Sequence, residues 1–283
     1  MPTTSPDAAG GGGTAVRAAA ASQVFVDDPG SPVIGEPDRH HLLRVLRLGE
    51  GEQIVASDGR GSWSCWRLRG RGSALSVSRS RSARTESGDL QLEAVGAVHF
   101  EPAPKEPLTV AFAPAKGERS ELVVQKLTEI GIDRIAPLVT DRSVVHWGED
   151  RKGRALNRLR RVAVEASAQC RRVWVPEVLE PQRLSSFLGA ARAAGEIVGQ
   201  AQLGGAQPEP GLSCLVVGPE GGWSLEELEL GCPRVGLGPN VLRSETAAIV
   251  AGVTLMALRT GTVVPRRDEQ SLEQTRCERG QDD

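Results

Sequence analysis

Two glycine-bearing turns hold the residues best suited to chemistry: GPEGGW, Gly218 to Trp223, and GLGPNVLRSETA, Gly236 to Ala247. Each follows an apolar run and leads into a helical pattern. Leu215, Val216 and Val217 give a short buried-strand signal that Gly218 and Pro219 stop. Ser224 with Glu227 three residues on is a capping box, so a helix starts at Leu225 with its free amides facing the turn. Glycine in such a turn removes side-chain bulk and lets backbone donors and acceptors touch a ligand. In the second turn, Val235 to Leu237 is strand-like and Gly238-Pro239-Asn240 is turn chemistry. Ser244 is placed to cap a helix running to about Arg259. On that helix Ala247, Ala248, Ala251 and Gly252 permit close approach by another helix or by a partner subunit. The pair of turns predicts one ligand pocket. No GxGxxG follows the first strand and no P-loop is present, which disfavours a Rossmann nucleotide enzyme.

The elements that must position these turns alternate. LTVAFA from Leu108 is strand-like, Glu118 to Ile130 a helix closed by Gly131, RIAPLV from Arg134 a strand, and Arg154 to Ala168 a helix. VWVPEV is a further extended piece, Leu184 to Ala194 a helix, and EIVG, SCLVVG and RVGLG short strands. Alternation of this kind predicts a parallel sheet covered on both faces. Ahead of it, EPAPKEP, Glu101 to Pro107, is proline-rich and suits an extended connection. From Gln23 to about Val98 the runs VFV, EQIVAS, SWSCWRLR, ALSVS and LQLEAV are short and separated by glycine turns, which predicts a small antiparallel barrel. A helical pattern from Pro37 to Leu48 interrupts them, with Leu42, Leu43, Val45 and Leu46 as its apolar face. Trp63 and Trp66 read as barrel core rather than as a base-stacking platform. The expected organisation is a flexible Ala/Gly-rich extension over 1–21, the barrel over 22–98 and a linker over 99–107. The α/β domain follows over 108–264, and a disordered charged tail over 265–283.

Charge separates the two halves. The net charge is −2 over 283 residues, yet Arg39 to Arg84 contains ten arginines, no lysine and three acids, an excess of seven positive charges. Planar guanidinium groups suit phosphates and bases, so RNA is the natural partner of this module. The alternative is an arginine-biased solvated face. Five scattered cysteines, Cys65, Cys170, Cys214, Cys232 and Cys277, form no CxxC pair and no metal spacing, and read as buried free thiols. His40-His41 lacks a third ligand, so capping or RNA contact is expected there and no metal. No apolar run reaches membrane-spanning length and the first residues lack a signal-peptide pattern, so a cytoplasmic location is expected.

The two turns together, GPEGG and LGxxxLRxETA, resemble the ribosomal-RNA uridine-N3 methyltransferases of the RsmE type, in the SPOUT class. Three further blocks are similar to that family and occur in its order: HHLLRVLRLGEGEQIVASDGRG from His40, KGERSELVVQKLTEIGIDRIAPLVTDRSVVHW from Lys116, and EASAQCRRVWVPEV from Glu165. The resemblance implies an N-terminal PUA-like RNA-binding β-barrel and a C-terminal SPOUT α/β domain with a deep trefoil knot. It also implies a homodimer, S-adenosyl-L-methionine as cofactor, and 16S rRNA in the small ribosomal subunit as substrate. By the same resemblance Gly218, Glu220, Gly221, Leu237, Leu242 and Arg243 line the cofactor pocket, with Gly199 beside them. Arg172 holds the target uridine or its phosphate as the catalytic candidate, and Gln169 assists it. Arg44 and Arg47 belong to the RNA-binding set.

Methyl transfer to uridine N3 is an in-line displacement, so positioning of the two reactants should supply most of the rate. Glu129 and Glu165 are acid-base candidates by type, but each sits where a helix-end or helix-face carboxylate belongs, and the structural role is preferred. The chain departs from the family pattern at Ala168, where an acidic residue is common, at Arg171, where glycine is usual, and at Gly199-Gln200, where the run is often more acidic. Two other readings stay open. One is a SPOUT methyltransferase acting on a tRNA base or on ribose; the other is an RNA-binding assembly factor without catalysis.

Overall fold

Apolar residues over Gln53–Ser57 and Ser62–Arg69, joined by the turn Asp58 to Gly61, build the first hairpin of the structure, a computed structural model. The described residues are 10–69, 82–83, 90–145 and 149–263; the expected strand ALSVS, Cys277 and the tail over 265–283 lie outside them. The chain divides into two units, residues 1–105 with 160–176 and residues 106–159 with 177–283.

In the first unit, helix α1 (Gly10–Ala19) precedes β1 (Ser22–Phe25), α2 (Glu36–His40), β2 (Gln53–Ser57), β3 (Ser62–Arg69), β4 (Ser82–Ala83) and β5 (Gln91–Phe100). The sheet order is β1-β2-β3-β5-β4. All pairs are antiparallel except β1 with β2, which run parallel. The all-antiparallel expectation fails at this pair because residues 36–45 form a helical crossover that returns the chain to the same end of the sheet. The Asp58 carboxylate accepts from the amides of Arg60 and Ser62 and closes the β2–β3 turn. Trp63 and Trp66 are core, as expected, and both indole N–H groups are satisfied: Trp66 donates to Pro29 O at 3.1 Å and Trp63 to Glu101 Oε1 at 3.1 Å.

Two further departures from the sequence reading fall in this unit, and the end of the helix before Arg171 adds a finding of its own. The expected helix over Pro37–Leu48 is a short α2 that widens into a π turn, His41–Val45. The wider turn rotates the following residues off the buried face: Leu42 is buried, but Val45 and Leu46 are 59% and 40% exposed. Residues 10–21, expected to be a flexible extension, contain α1 instead. Its glycines disfavour helix, and tertiary anchors hold it: Arg17 is buried, ion-pairs with Glu101 and stacks 5.0 Å over the Trp63 ring. At Arg171, where glycine is usual in the family, the backbone is left-handed with φ 62°. The Arg172 amide donates to Ser167 O at 2.9 Å, a bond that ends a helix through a left-handed residue. The Arg171 guanidinium in turn donates to Ala168 O, Ala20 O and Ala21 O at 2.9, 3.2 and 2.9 Å.

The second unit contains β6 (Thr109–Phe112), α3 (Arg119–Ile130) and β7 (Arg134–Val139). Helix α4 (Glu149–Gln169) begins here, and its residues from Arg160 on belong to the first unit. Then follow β8 (Glu177–Val178), β9 (Gln182–Arg183), α5 (Leu184–Ala193), β10 (Val198–Ala206), β11 (Cys214–Val217), α6 (Leu225–Leu228), β12 (Arg234–Val235) and α7 (Ser244–Arg259). The sheet is parallel throughout in the order β12-β10-β11-β6-β7-β8, with β9 paired to β7. One face, with Ala111, Ala136, Cys214 and Val216, packs on Leu184, Phe187 and Leu188 of α5. Strand alternation turns Val110, Phe112, Leu215 and Val217 to the opposite side, and α7 packs on β6 and β11. The small residues of α7 act as expected: a side chain at Gly252 would come within 2.6 Å of Leu127 on α3. Cys65, Cys214 and Cys232 are buried free thiols; burial pushes Cys214 well above its ordinary pKa and Cys232 up to about 11. Among the described residues no helix is long and apolar enough to cross a membrane, and no His/Cys/Asp/Glu cluster suits a metal ion.

Candidate active site

Parallel strands β10, β11 and β12 deliver their carboxyl ends to one edge of the second unit, where ligand clefts of α/β sheets form. A cleft of about 300 Å³ lies there, in the range of small-molecule sites. Gly218, Pro219, Glu220, Gly222 and Trp223 of the first turn line it, as do Leu237, Gly238, Asn240, Val241, Leu242 and Ser244 of the second. The expectation that both turns serve one pocket therefore holds. Among the described residues that line it none is cationic, and Glu220 is the one acid.

Three contacts build this geometry. Ser244 does not cap α7; the cap position falls on Arg243, and the Ser244 hydroxyl instead donates to Gly218 O at 3.0 Å, tying the two turns together. The Trp223 indole packs so close to Gly218 that a side chain there would lie 2.9 Å from the ring, which explains why glycine occupies the position. Trp223 Nε1 also donates to Ala201 O at 3.2 Å, joining the first turn to β10. Behind the turn, the capping box predicted at Ser224 is present, although α6 lasts only four residues. Glu227 is buried and its carboxylate accepts from the amides of Ser224 and Asp141, at 2.9 and 3.0 Å. Ser224 Oγ also donates to Asp141 Oδ2 at 2.5 Å, and Arg142 Nη1 to Gly221 O at 3.2 Å. The loop after β7 thus braces the first turn from outside.

Of the residues expected to line the pocket, Gly218, Glu220, Leu237 and Leu242 do so. Gly221 lies against Arg142, and Arg243 is the residue before α7; neither is among the lining residues. Gly199 sits inside the sheet, paired with Leu215 and packed on Val235. The β10 residues that reach the cleft are Ala201, Gln202 and Leu203. Sequence reasoning missed them because EIVG was read as a short strand, whereas β10 continues to Ala206. Arg44, Arg47, Gln169 and Arg172 all belong to the first unit. Arg44 and Arg47 are exposed beside Val45 and Leu46, and Arg47 has a left-handed φ of 56°. Gln169 is exposed at the end of α4, and Arg172 Nε donates to Trp174 O at 3.1 Å. Glu129 pairs with Lys126 one turn earlier on α3, at 2.8 Å, in keeping with a structural role.

The second unit is a parallel α/β sheet ending in a cleft and the first a small mixed sheet, and the family models that match them are those of RNA methyltransferases with a PUA domain. The family described as RNA methyltransferase domain matches residues 101–256, and the RNA methyltransferase PUA domain matches residues 34–65. A ribosomal RNA small subunit methyltransferase E from Mycobacterium bovis is 33% identical over 239 residues, 79% of this chain and 86% of that protein. The protein of that name from Bacillus subtilis is 27% identical over 87% of this chain and 96% of its own length. A Legionella pneumophila structure in complex with the cofactor SAM superposes with a TM-score of 0.65 at 26% identity, covering 83% of this chain and 96% of that one. The chain belongs to the ribosomal RNA small subunit methyltransferase E family.

Proposed function

We propose that this protein transfers a methyl group from S-adenosylmethionine, held in the cleft between the two glycine turns, to N3 of a specific uridine of 16S rRNA near the decoding centre. The observation that carries the reading is the Ser244–Gly218 bond, which closes both family turns around one cleft whose described lining residues include no cation. S-adenosylmethionine supplies an electrophilic methyl group on a sulfonium, and a positively charged ligand is disfavoured by cationic neighbours. Gly218, Glu220, Leu237 and Leu242 contact the cofactor, with Ala201, Gln202 and Leu203 along its third side. Gly221 and Arg243 shape the turns from behind, and Gly199 holds the strand beneath. These groups bind and orient the donor, in keeping with catalysis by positioning.

The RNA is engaged by residues 22–98, with Arg44 and Arg47 on an exposed ledge, while residues 108–264 carry out transfer beyond the linker over 99–107. Arg172 holds the target uridine or its phosphate, assisted by Gln169. The deep trefoil knot belongs to this reading, as does a homodimer, supported by the exposed apolar residues Val241 and Leu225 at 84% and 74%. With ribosomal RNA as substrate, the protein works in the cytoplasm. The test is transfer of labelled methyl to small ribosomal subunits from cells lacking the endogenous enzyme, with bulk tRNA as control, followed by nucleoside analysis. Label in 3-methyluridine of the subunit RNA is expected. Label in tRNA alone would move the chain to another SPOUT activity, and cofactor binding without transfer would favour an assembly role.

A further inference from the structure

Helix α3 brings a charged group to the two turns that neither motif contains. Arg119, its first residue, directs Nη1 to Glu220 Oε1 at 3.3 Å and Nε to Glu245 Oε1 at 3.8 Å. Glu220 belongs to the first turn and lines the cleft; Glu245 is in the first turn of α7, directly after Ser244, and does not. The Glu245 side chain is only 13% exposed and its Oε2 is buried without a hydrogen-bond partner among the described residues. A carboxylate in that state depends on nearby positive charge, which among the described residues comes from the amino end of α7 and from Arg119. A guanidinium holds its donors in a fixed planar fork and can face two carboxylates at once, here through a hydrogen bond to Glu220 and a longer ion pair to Glu245.

We propose that Arg119 is a positioning residue for the cofactor cleft: it clamps the first turn to the start of α7 through Glu220 and Glu245, and so fixes the width of the opening. The proposal rests on the reading that the cleft holds S-adenosylmethionine. Arg119 works alongside the Ser244–Gly218 bond, which links the same two segments from inside.

The test is calorimetric titration of the full-length protein with S-adenosylmethionine for wild type, Arg119→Ala, Arg119→Lys, Glu245→Gln, the double variant Arg119→Ala/Glu245→Gln, and Leu237→Ala. With the Arg119 side chain 45% exposed, Arg119→Ala should weaken binding about three- to tenfold, and Arg119→Lys should restore part of the loss. Glu245→Gln should weaken binding in the wild-type background and have no further effect in the Arg119→Ala background, since both changes remove one clamp. In turnover assays the KM for cofactor should rise more than kcat falls. Additive effects of the two substitutions, or a cofactor affinity within twofold of wild type for Arg119→Ala while Leu237→Ala is impaired, would overturn the clamp and leave the cleft assignment standing. If Leu237→Ala and Arg119→Ala both bind as wild type does, the cleft assignment falls and the clamp with it. Equal melting temperatures for Arg119→Lys and wild type separate a binding defect from misfolding.

Discussion

Ser244 serves the cleft as a hydrogen-bond donor to Gly218 O, a role distinct from the helix cap its residue type suggests. A serine just before an apolar helical run is the usual cap signal, and its alternative use is visible only when the other turn is in place. Removing the hydroxyl costs about 0.5–1.5 kcal/mol, the net value of one such bond. Ser244→Ala should therefore weaken S-adenosylmethionine binding about two- to tenfold with a small change in melting temperature. Calorimetry beside a thermal melt would check this; an unchanged affinity would make the bond incidental to the cleft. Glu227 teaches the same lesson in reverse. Its capping box was legible from spacing alone, because both partners lie within one helical turn. Its bond to the Asp141 amide, 86 residues away, was not.

At the scale of elements, the end of α4 is the most informative. The family's usual glycine is replaced by Arg171, yet the left-handed backbone that glycine would serve is kept. A left-handed non-glycine residue costs roughly 1–2 kcal/mol. Three guanidinium bonds to backbone carbonyls, two of them on the segment after α1, offset that strain. Arg171→Ala keeps the strain and loses the bonds, while Arg171→Gly loses the bonds and relieves the strain. The stability order wild type, then glycine, then alanine is expected in chemical denaturation, with glycine about 1 kcal/mol above alanine. Alanine equal to or above glycine would show that the strain is negligible. Strand β10 makes a second point at this scale: its glycines shortened it in the sequence reading, but pairing with β11 and β12 carries it on to the cleft.

For the whole molecule, the change of unit between Lys105 and Glu106 falls inside the proline-rich stretch read as the linker. The first unit also takes residues 160–176, which the linear boundaries assign to the methyltransferase domain. Those residues hold the N-terminal segment: Gln23 donates to Arg172 O at 2.6 Å, and Arg171 to the carbonyls of Ala20 and Ala21. Deleting residues 1–21 removes the Arg171 acceptors and the Arg17–Glu101 pair together. The expected result is a melting temperature lower by about 5–10 °C, on the scale of one or two kcal/mol for a unit of this size, with cofactor affinity retained. Calorimetric scanning with and without S-adenosylmethionine would check it, and an unchanged transition would mean that α1 contributes no stability.

The sequence by itself determined the alternation that makes a parallel sheet, the two glycine turns, the core tryptophans and the family, because each is written in residues close together along the chain. Only the tertiary structure decided what those pieces do to one another. Ser244 reaches Gly218, Arg119 reaches Glu220 and Glu245, and Arg171 reaches Ala20 and Ala21 across 26 to 151 residues of chain. Side-chain hydrogen bonds at such separations leave no periodicity or spacing in a sequence. They exist only once burial has packed the sheets and helices and set the donors against their acceptors.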